Sequence, residues 1–276
     1  MLSVQRWVIG TKVKEIAIDG YGRDRSFGNA LIDMCVKCGL LQKAQEVFNE
    51  LPIKDVVSWT TLISGYAKAE YAEEALSCYE RMQIDGVFPD AITFACILKA
   101  CGDLNAISKG QELHIETEKR GLSQSGTPIG NSLVEMYAKA GQLSDARDMF
   151  DRINFPDSIS WNSLISGYSE HFYAEEALQC FFQMQAEGLF PDAITLLCVL
   201  KACGRTGDAR KGKVIHDEIM RRGLLEKDIM LGTALATMYA KCDMLAKAHY
   251  VIQCLPERDI VSWNALITGY TQQGEC

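Results

Sequence analysis

The sequence predicts an all-α fold, an α-solenoid of stacked helix-turn-helix units with about sixteen helices. Three observations predict it. Trp59, Trp161 and Trp263 recur at a constant interval of 102 residues. Each opens nearly the same phrase: Ser58 to Tyr66 reads SWTTLISGY, Ser160 to Tyr168 reads SWNSLISGY, and Ser262 to Tyr270 reads SWNALITGY. Within each phrase the apolar residues keep helical spacing, with Trp59, Leu62, Ile63 and Tyr66 at i, i+3, i+4 and i+7.

The 102-residue period divides into units of 35, 36 and 31 residues: Val56 to Asp90, Ala91 to Gly126 and Thr127 to Asp157. The next cycle repeats these lengths over Ser158 to Asp192, Ala193 to Asp228 and Ile229 to Asp259. A 31-residue unit, Arg25 to Asp55, precedes the first cycle. Met1 to Asp24 reads as the second half of a middle-length unit, and Ile260 to Cys276 as the first half of a long one.

Each unit reads as two helices. In Val56 to Asp90 the second stripe is Ala75, Leu76, Tyr79 and Met82, and Ala69-Glu70-Tyr71 forms the turn. Gly86 ends the second helix and Pro89 blocks its continuation. Asp90 is placed to cap the following helix. A hairpin this short cannot bury both apolar stripes alone, so neighbours must stack. Neither end of the chain reads as a polar cap, so residues outside it are expected to cover the exposed apolar faces.

The totals fit such a stack. The composition is 48% hydrophobic and 23% charged, ordinary for a soluble protein. No apolar run reaches membrane-spanning length, so no membrane role is expected. The net charge of −8 does not favour nonspecific phosphate binding, although a sequence reader can keep basic residues on one face. The eleven cysteines largely follow the repeat, as in Cys78 and Cys180, Cys96 and Cys198, and Cys101 and Cys203. They read as small apolar packing residues in a reducing compartment. No signal peptide is visible, and Met1 to Ile18 reads as an amphipathic helix without clear transit-peptide character.

Units of 35, 36 and 31 residues in rotation resemble the pentatricopeptide repeat family, in particular its plant organellar branch with alternating P, L and S motifs. The phrases Val57 to Tyr66, Gly130 to Lys139 and Leu255 to Asp259 carry the resemblance, which covers the whole chain. It implies a right-handed solenoid. It divides the chain into a partial L-type repeat (1–24), S (25–55), P (56–90), L (91–126), S (127–157), P (158–192), L (193–228), S (229–259) and a partial P (260–276).

The resemblance implies one RNA base read per repeat, chiefly by the fifth and last residues. The pairs are Asn29 with Asp55, Thr60 with Asp90, Asn131 with Asp157, Asn162 with Asp192, and Thr233 with Asp259; Asn264 begins a further pair. An amide offers donors and an acceptor to a pyrimidine edge, and a shorter hydroxyl leaves room for a purine. In family terms Asn with Asp prefers U, and Thr with Asp prefers G. The L-type pairs, Ala95 with Gly126 and Leu197 with Asp228, lack a hydrogen-bonding fifth residue and read as weakly selective spacers. The implied site is U-G-n-U-U-n-G followed by a pyrimidine. The second residues, Val57, Ile92, Pro128, Ile159, Ile194, Met230 and Val261, are expected to flank the bases; Ser26 is the polar exception.

The implied partner is single-stranded RNA of a mitochondrial or chloroplast transcript, with editing-complex proteins as further partners. The role implied is site recognition for C-to-U editing. No cofactor, metal, small-molecule substrate or catalytic residue is expected in this segment, and any deaminase would lie beyond Cys276 or act in trans. The rival reading is a protein-binding scaffold of the tetratricopeptide type, whose constant 34-residue units the alternating lengths here oppose. His114-Ile115-Glu116 and His216-Asp217-Glu218 match the H-x-E of zinc deaminases. They recur one period apart inside second helices, with no P-C-x-x-C following, and read as structural. Cys35-Val36-Lys37-Cys38 lacks the further ligands of a zinc site. The tryptophans read as core. Asn, Thr and Asp near helix starts can also serve simply as caps.

Overall fold

The computed structural model describes residues 25–122, 128–225 and 228–255, with positions 260, 263, 264, 267, 270 and 271. Met1 to Ile18, Gly126, Asp259 and Val261 lie outside the described residues. Among the described residues there are fourteen α-helices and no strand. The counts differ from sixteen because the expected first helix lies outside the described residues and the last, from Ile260, is described only at isolated helical positions.

Two compact units divide at Asn154 and Phe155. The first holds α1 (Arg25–Lys37), α2 (Leu41–Glu50), α3 (Val56–Lys68), α4 (Ala72–Ile84), α5 (Ala91–Asp103), α6 (Ile107–Lys119), α7 (Pro128–Lys139) and α8 (Leu143–Asp151). The second holds α9 (Ser158–Glu170), α10 (Ala174–Ala186), α11 (Ala193–Thr206), α12 (Ala209–Arg221), α13 (Ile229–Lys241) and α14 (Leu245–Cys254). Consecutive helices pair as hairpins. Within the first unit the leading helices α1, α3, α5 and α7 pack side by side, and within the second α9, α11 and α13 do the same.

Local chemistry explains the boundaries. The turn at Ala69 to Tyr71 forms as expected, with Glu70 in the left-handed region at φ 64°. Gly86 ends α4 at φ 70°, where a side chain would be strained. Leading helices approach closely where their facing surface carries glycine. A Cβ on Gly102 would lie 3.1 Å from the Cα of Met136, and one on Gly204 would lie 3.4 Å from the Cα of Met238. The repeat therefore preserves the small residue that sets the spacing between neighbouring leading helices.

Trp59 and Trp161 are fully buried, as expected of core residues. Phe48 meets Trp59 edge-on at 4.5 Å, a favourable aromatic geometry. Trp161 donates from Nε1 to Glu187 at 3.2 Å. Trp263 is 42% exposed, and most of the residues around it lie outside the described ones. No helix among the described residues is long and apolar enough to cross a membrane.

Because Trp161 fills the join between α9 and its neighbours, Trp161→Ala should cost about 3–5 kcal/mol. Urea unfolding followed by circular dichroism measures this, and a loss below about 1 kcal/mol would show that the indole is not a core element.

Candidate nucleic-acid interface

The candidate interface begins with five aspartates. Asp55, Asp90, Asp157, Asp192 and Asp228 are the N-caps of α3, α5, α9, α11 and α13, all in extended backbone conformation. Each carboxylate accepts from backbone N–H groups of the first turn: Asp90 from Thr93 at 2.8 Å and Asp192 from Thr195 at 2.9 Å. Such a bond satisfies a donor that the helix leaves unpaired. The capping role weighed against base reading is therefore real, and it pins each carboxylate in place.

The same carboxylates receive the fifth residue of the preceding repeat. Asn29 Nδ2 donates to Asp55 Oδ1 at 3.4 Å and Asn162 Nδ2 to Asp192 Oδ2 at 2.7 Å, while Thr60 Oγ1 lies 3.5 Å from Asp90 Oδ1. Three of the expected pairs are thus brought together. Asn131 is half-buried on α7, and Asp157 belongs to the second unit. Thr233 lies nearly buried on α13, with its partner Asp259 outside the described residues. Asn264 is helical and exposed. Ala95 and Leu197, the apolar fifth residues, are half-buried, and Asp228 caps α13.

The expected flanking residues stand outward. Val57, Ile92, Ile159, Ile194 and Met230 are 52–66% exposed, and Pro128 is exposed as well. Large apolar side chains exposed in register are what a stacking platform requires. In the first unit a groove of about 560 Å³ runs beside α1, α3 and α5. It brings Val57 and Ile92 together with Thr60 and Asp90, and Lys37 and Lys68 line it too. In the second unit a groove of about 350 Å³ between α11 and α13 is lined by Leu197, Met230 and Thr233, with Lys201 and Lys241.

Charge is segregated by helix row. The seven leading helices hold eight Lys and Arg against four Asp and Glu; the seven following helices hold ten against fifteen. The leading helices are thus net basic and the following helices net acidic, while most of the chain's net acidity lies outside the helices, the cap aspartates included. Lys68, Lys99, Lys201 and Lys241 are exposed and make no salt bridge among the described residues. These lysines were missed in the residue-by-residue reading. Their signal was periodicity, since Lys99 and Lys201, like Lys139 and Lys241, stand one period apart.

The H-x-E histidines have another occupation. His114 Nδ1 lies 2.9 Å from Tyr137 Oη, and His216 Nδ1 lies 2.9 Å from Tyr239 Oη. These bonds join α6 to α7 and α12 to α13. No metal-ligand cluster occurs among the described residues, and Cys35 is buried inside α1. Burial pushes the thiols of Cys78 and Cys101 up to about 11 and that of Cys203 to about 12, so these remain neutral packing groups.

These features define a helical-repeat protein with an in-register polar row flanked by apolar side chains. Comparison with known proteins places it. A PPR repeat family model matches residues 54–103 and 156–205, and a PPR repeat model matches 29–56, 131–154, 194–224 and 261–276. Together they take in more than half of the chain, which belongs to the pentatricopeptide repeat family.

It is similar to the chloroplastic pentatricopeptide repeat-containing protein At1g15510 of Arabidopsis thaliana, with 36% identity over 95% of this chain and 30% of the relative. It is also similar to the putative mitochondrial protein At3g25060 of the same plant, with 33% identity over 94% of this chain and 43% of the relative. The chain thus spans less than half the length of these relatives. In fold it is similar to the pentatricopeptide repeat protein PPR10 in complex with an 18-nt psaJ RNA element, with TM-score 0.75 and 17% identity over 96% of this chain and 40% of that one. The fold is therefore that of a pentatricopeptide repeat solenoid.

The buried His216 carries a pH expectation. Burial, the main cause, holds its imidazole below the ordinary 6.5; Lys247 adds to this and Asp217 opposes it. The unfolded chain therefore takes up the proton first. Stability is complete above about pH 6.5 and falls as pH drops through the lower folded value. The urea midpoint should fall between about pH 7.5 and pH 5.5, and fall less in His216→Gln; equal slopes would remove His216 as the cause.

Proposed function

We propose that this chain binds single-stranded RNA in a sequence-specific manner, with one nucleotide facing each repeat. The observation that carries the reading is the meeting of the fifth-residue side chain with the terminal aspartate beside an apolar-flanked groove, as at Val57, Thr60, Asp90 and Ile92. Apolar side chains sandwich a base, the polar pair meets its edge, and lysines on the leading helices attract phosphates. RNA bound in the crystal of PPR10, a protein of the same fold, supports the same reading.

Within it, Asn29, Asn131 and Asn162 with their aspartates take U, and Thr60 and Thr233 with theirs take G. Ala95 and Leu197 leave their positions unselected. The site is U-G-n-U-U-n-G followed by a pyrimidine facing Asn264. The rotation of 35-, 36- and 31-residue units supports assignment to the PLS-type branch and its repeat boundaries. In that setting the chain is the recognition segment of an organellar RNA-processing factor, and its task is to position a transcript for C-to-U editing performed elsewhere. Relatives named as chloroplastic and mitochondrial support an organelle as its place of action.

Binding to the assigned RNA should weaken at least about tenfold when its two G positions become C, given about 1–3 kcal/mol for each lost specific contact. Fluorescence anisotropy at fixed salt measures this. Equal affinity for the two RNAs would refute the assignment.

A further inference from the structure

Each junction with a polar fifth residue carries a hydroxyl at the third position of the next repeat. Ser58 follows Asn29 and Asp55, Thr93 follows Thr60 and Asp90, and Ser160 follows Asn131 and Asp157. Thr195 follows Asn162 and Asp192, and Ser262 follows Thr233 and Asp259. The junctions with apolar Ala95 and Leu197 carry Ile129 and Leu231 instead. Ser58, Thr93, Ser160 and Thr195 are buried, a costly place for an unbonded hydroxyl. Helix capping does not require it. Asp228 caps α13 through the N–H groups of Met230 and Leu231, with leucine at the third position.

At two junctions the hydroxyl bonds the fifth residue as well as the aspartate. Asn162 Nδ2 donates to Asp192 Oδ2 at 2.7 Å. A carboxylate only accepts, so the amide nitrogen faces Asp192 and the carbonyl oxygen faces Thr195. Thr195 Oγ1 accepts from the Asp192 backbone N–H at 3.2 Å and faces two acceptors, Asp192 Oδ1 at 2.9 Å and the closer Asn162 Oδ1; its single proton goes to Asn162, whose oxygen would otherwise meet it unbonded. Two bonds on opposite ends hold the amide plane. One N–H and one lone pair of Asn162 remain, in a fixed order. Uracil presents carbonyl beside ring N–H, and cytosine presents amino beside ring acceptor, the reverse order. A held amide matches one of them, whereas an amide free to flip matches both.

At the other junction Thr93 Oγ1 donates its single proton to Asp90 Oδ1 at 2.8 Å. Thr60 Oγ1 lies 2.7 Å from Thr93 Oγ1, so Thr60 is the donor in that contact. Its remaining capacity is acceptor only. An acceptor suits the ring N–H of guanine and opposes the ring acceptor that adenine puts in the same place.

We propose that Thr93 and Thr195 are positioning residues that set the hydrogen-bond polarity of Thr60 and Asn162, and thereby choose between bases of one size class: guanine over adenine at Thr60, uracil over cytosine at Asn162. The proposal rests on the RNA-reading function above.

The test uses the full chain and four RNAs that differ only in the nucleotides facing Thr60 (G or A) and Asn162 (U or C). Thr195→Val should reduce the U-over-C affinity ratio about fivefold, the worth of one net hydrogen bond, and leave the G-over-A ratio intact. Thr93→Val should do the converse, and Thr195→Ser should restore the wild-type ratio. The unaffected position in each variant reports that the molecule is folded. If both valine variants weaken all four RNAs equally, or leave both ratios unchanged, the hydroxyls are merely structural and the proposal falls while base reading stands. If the wild-type chain shows no base preference at either position, base reading itself falls and takes the proposal with it.

Discussion

One carboxylate per repeat holds the arrangement together. At Asp192 it closes the first turn of α11 through the Thr195 N–H and receives the Asn162 amide from the leading helix before it. Asp90 stands in the same way between α5 and Thr60. An N-cap contributes about 1 kcal/mol to helix stability, so selection for folding alone keeps an acid at this point. The same acid then serves as a rigid reference for the neighbouring side chain. At Asp192 the cap and the amide use different oxygens, Oδ1 and Oδ2. In the proposed RNA-binding reading, a side chain ordered in this way before a ligand arrives lowers the entropic cost of binding.

The rows of helices divide the remaining labour. The following helices carry the excess of acid, including Glu73, Glu74, Glu175 and Glu176 in the first turns of α4 and α10, where negative charge favours the helix dipole. The leading helices carry the glycines that allow close approach and the lysines that stand without carboxylate partners. Because exposed charges are screened over roughly 8–10 Å in physiological salt, the field at one helix row is set mainly by that row's own residues. The exposed lysines of the leading helices therefore stand near the cap aspartates, with the larger acidic excess of the helices on the following row.

Much of this was legible in the sequence because the physics repeats. The 102-residue interval, the apolar stripes and the turn at Ala69 to Tyr71 follow from helical spacing and from the need to bury both faces of each hairpin. The pairing of Asn29, Thr60 and Asn162 with their aspartates was legible only as register. Contact between residues 26 to 30 positions apart depends on stacking that no local pattern encodes. The H-x-E pairs show the limit of pattern alone. A catalytic pattern arose from two histidines occupied with Tyr137 and Tyr239 in joining consecutive repeats.

The apolar junctions complete the logic. The third-position hydroxyl also bonds the cap aspartate of its own helix, Ser58 the Asp55 carbonyl and Ser160 the Asp157 carboxylate and N–H, so its burial is satisfied locally. Ala95 goes with Ile129 and Leu197 with Leu231, so in this chain the hydroxyl and the polar fifth residue occur together. Each junction is polar or apolar as a set.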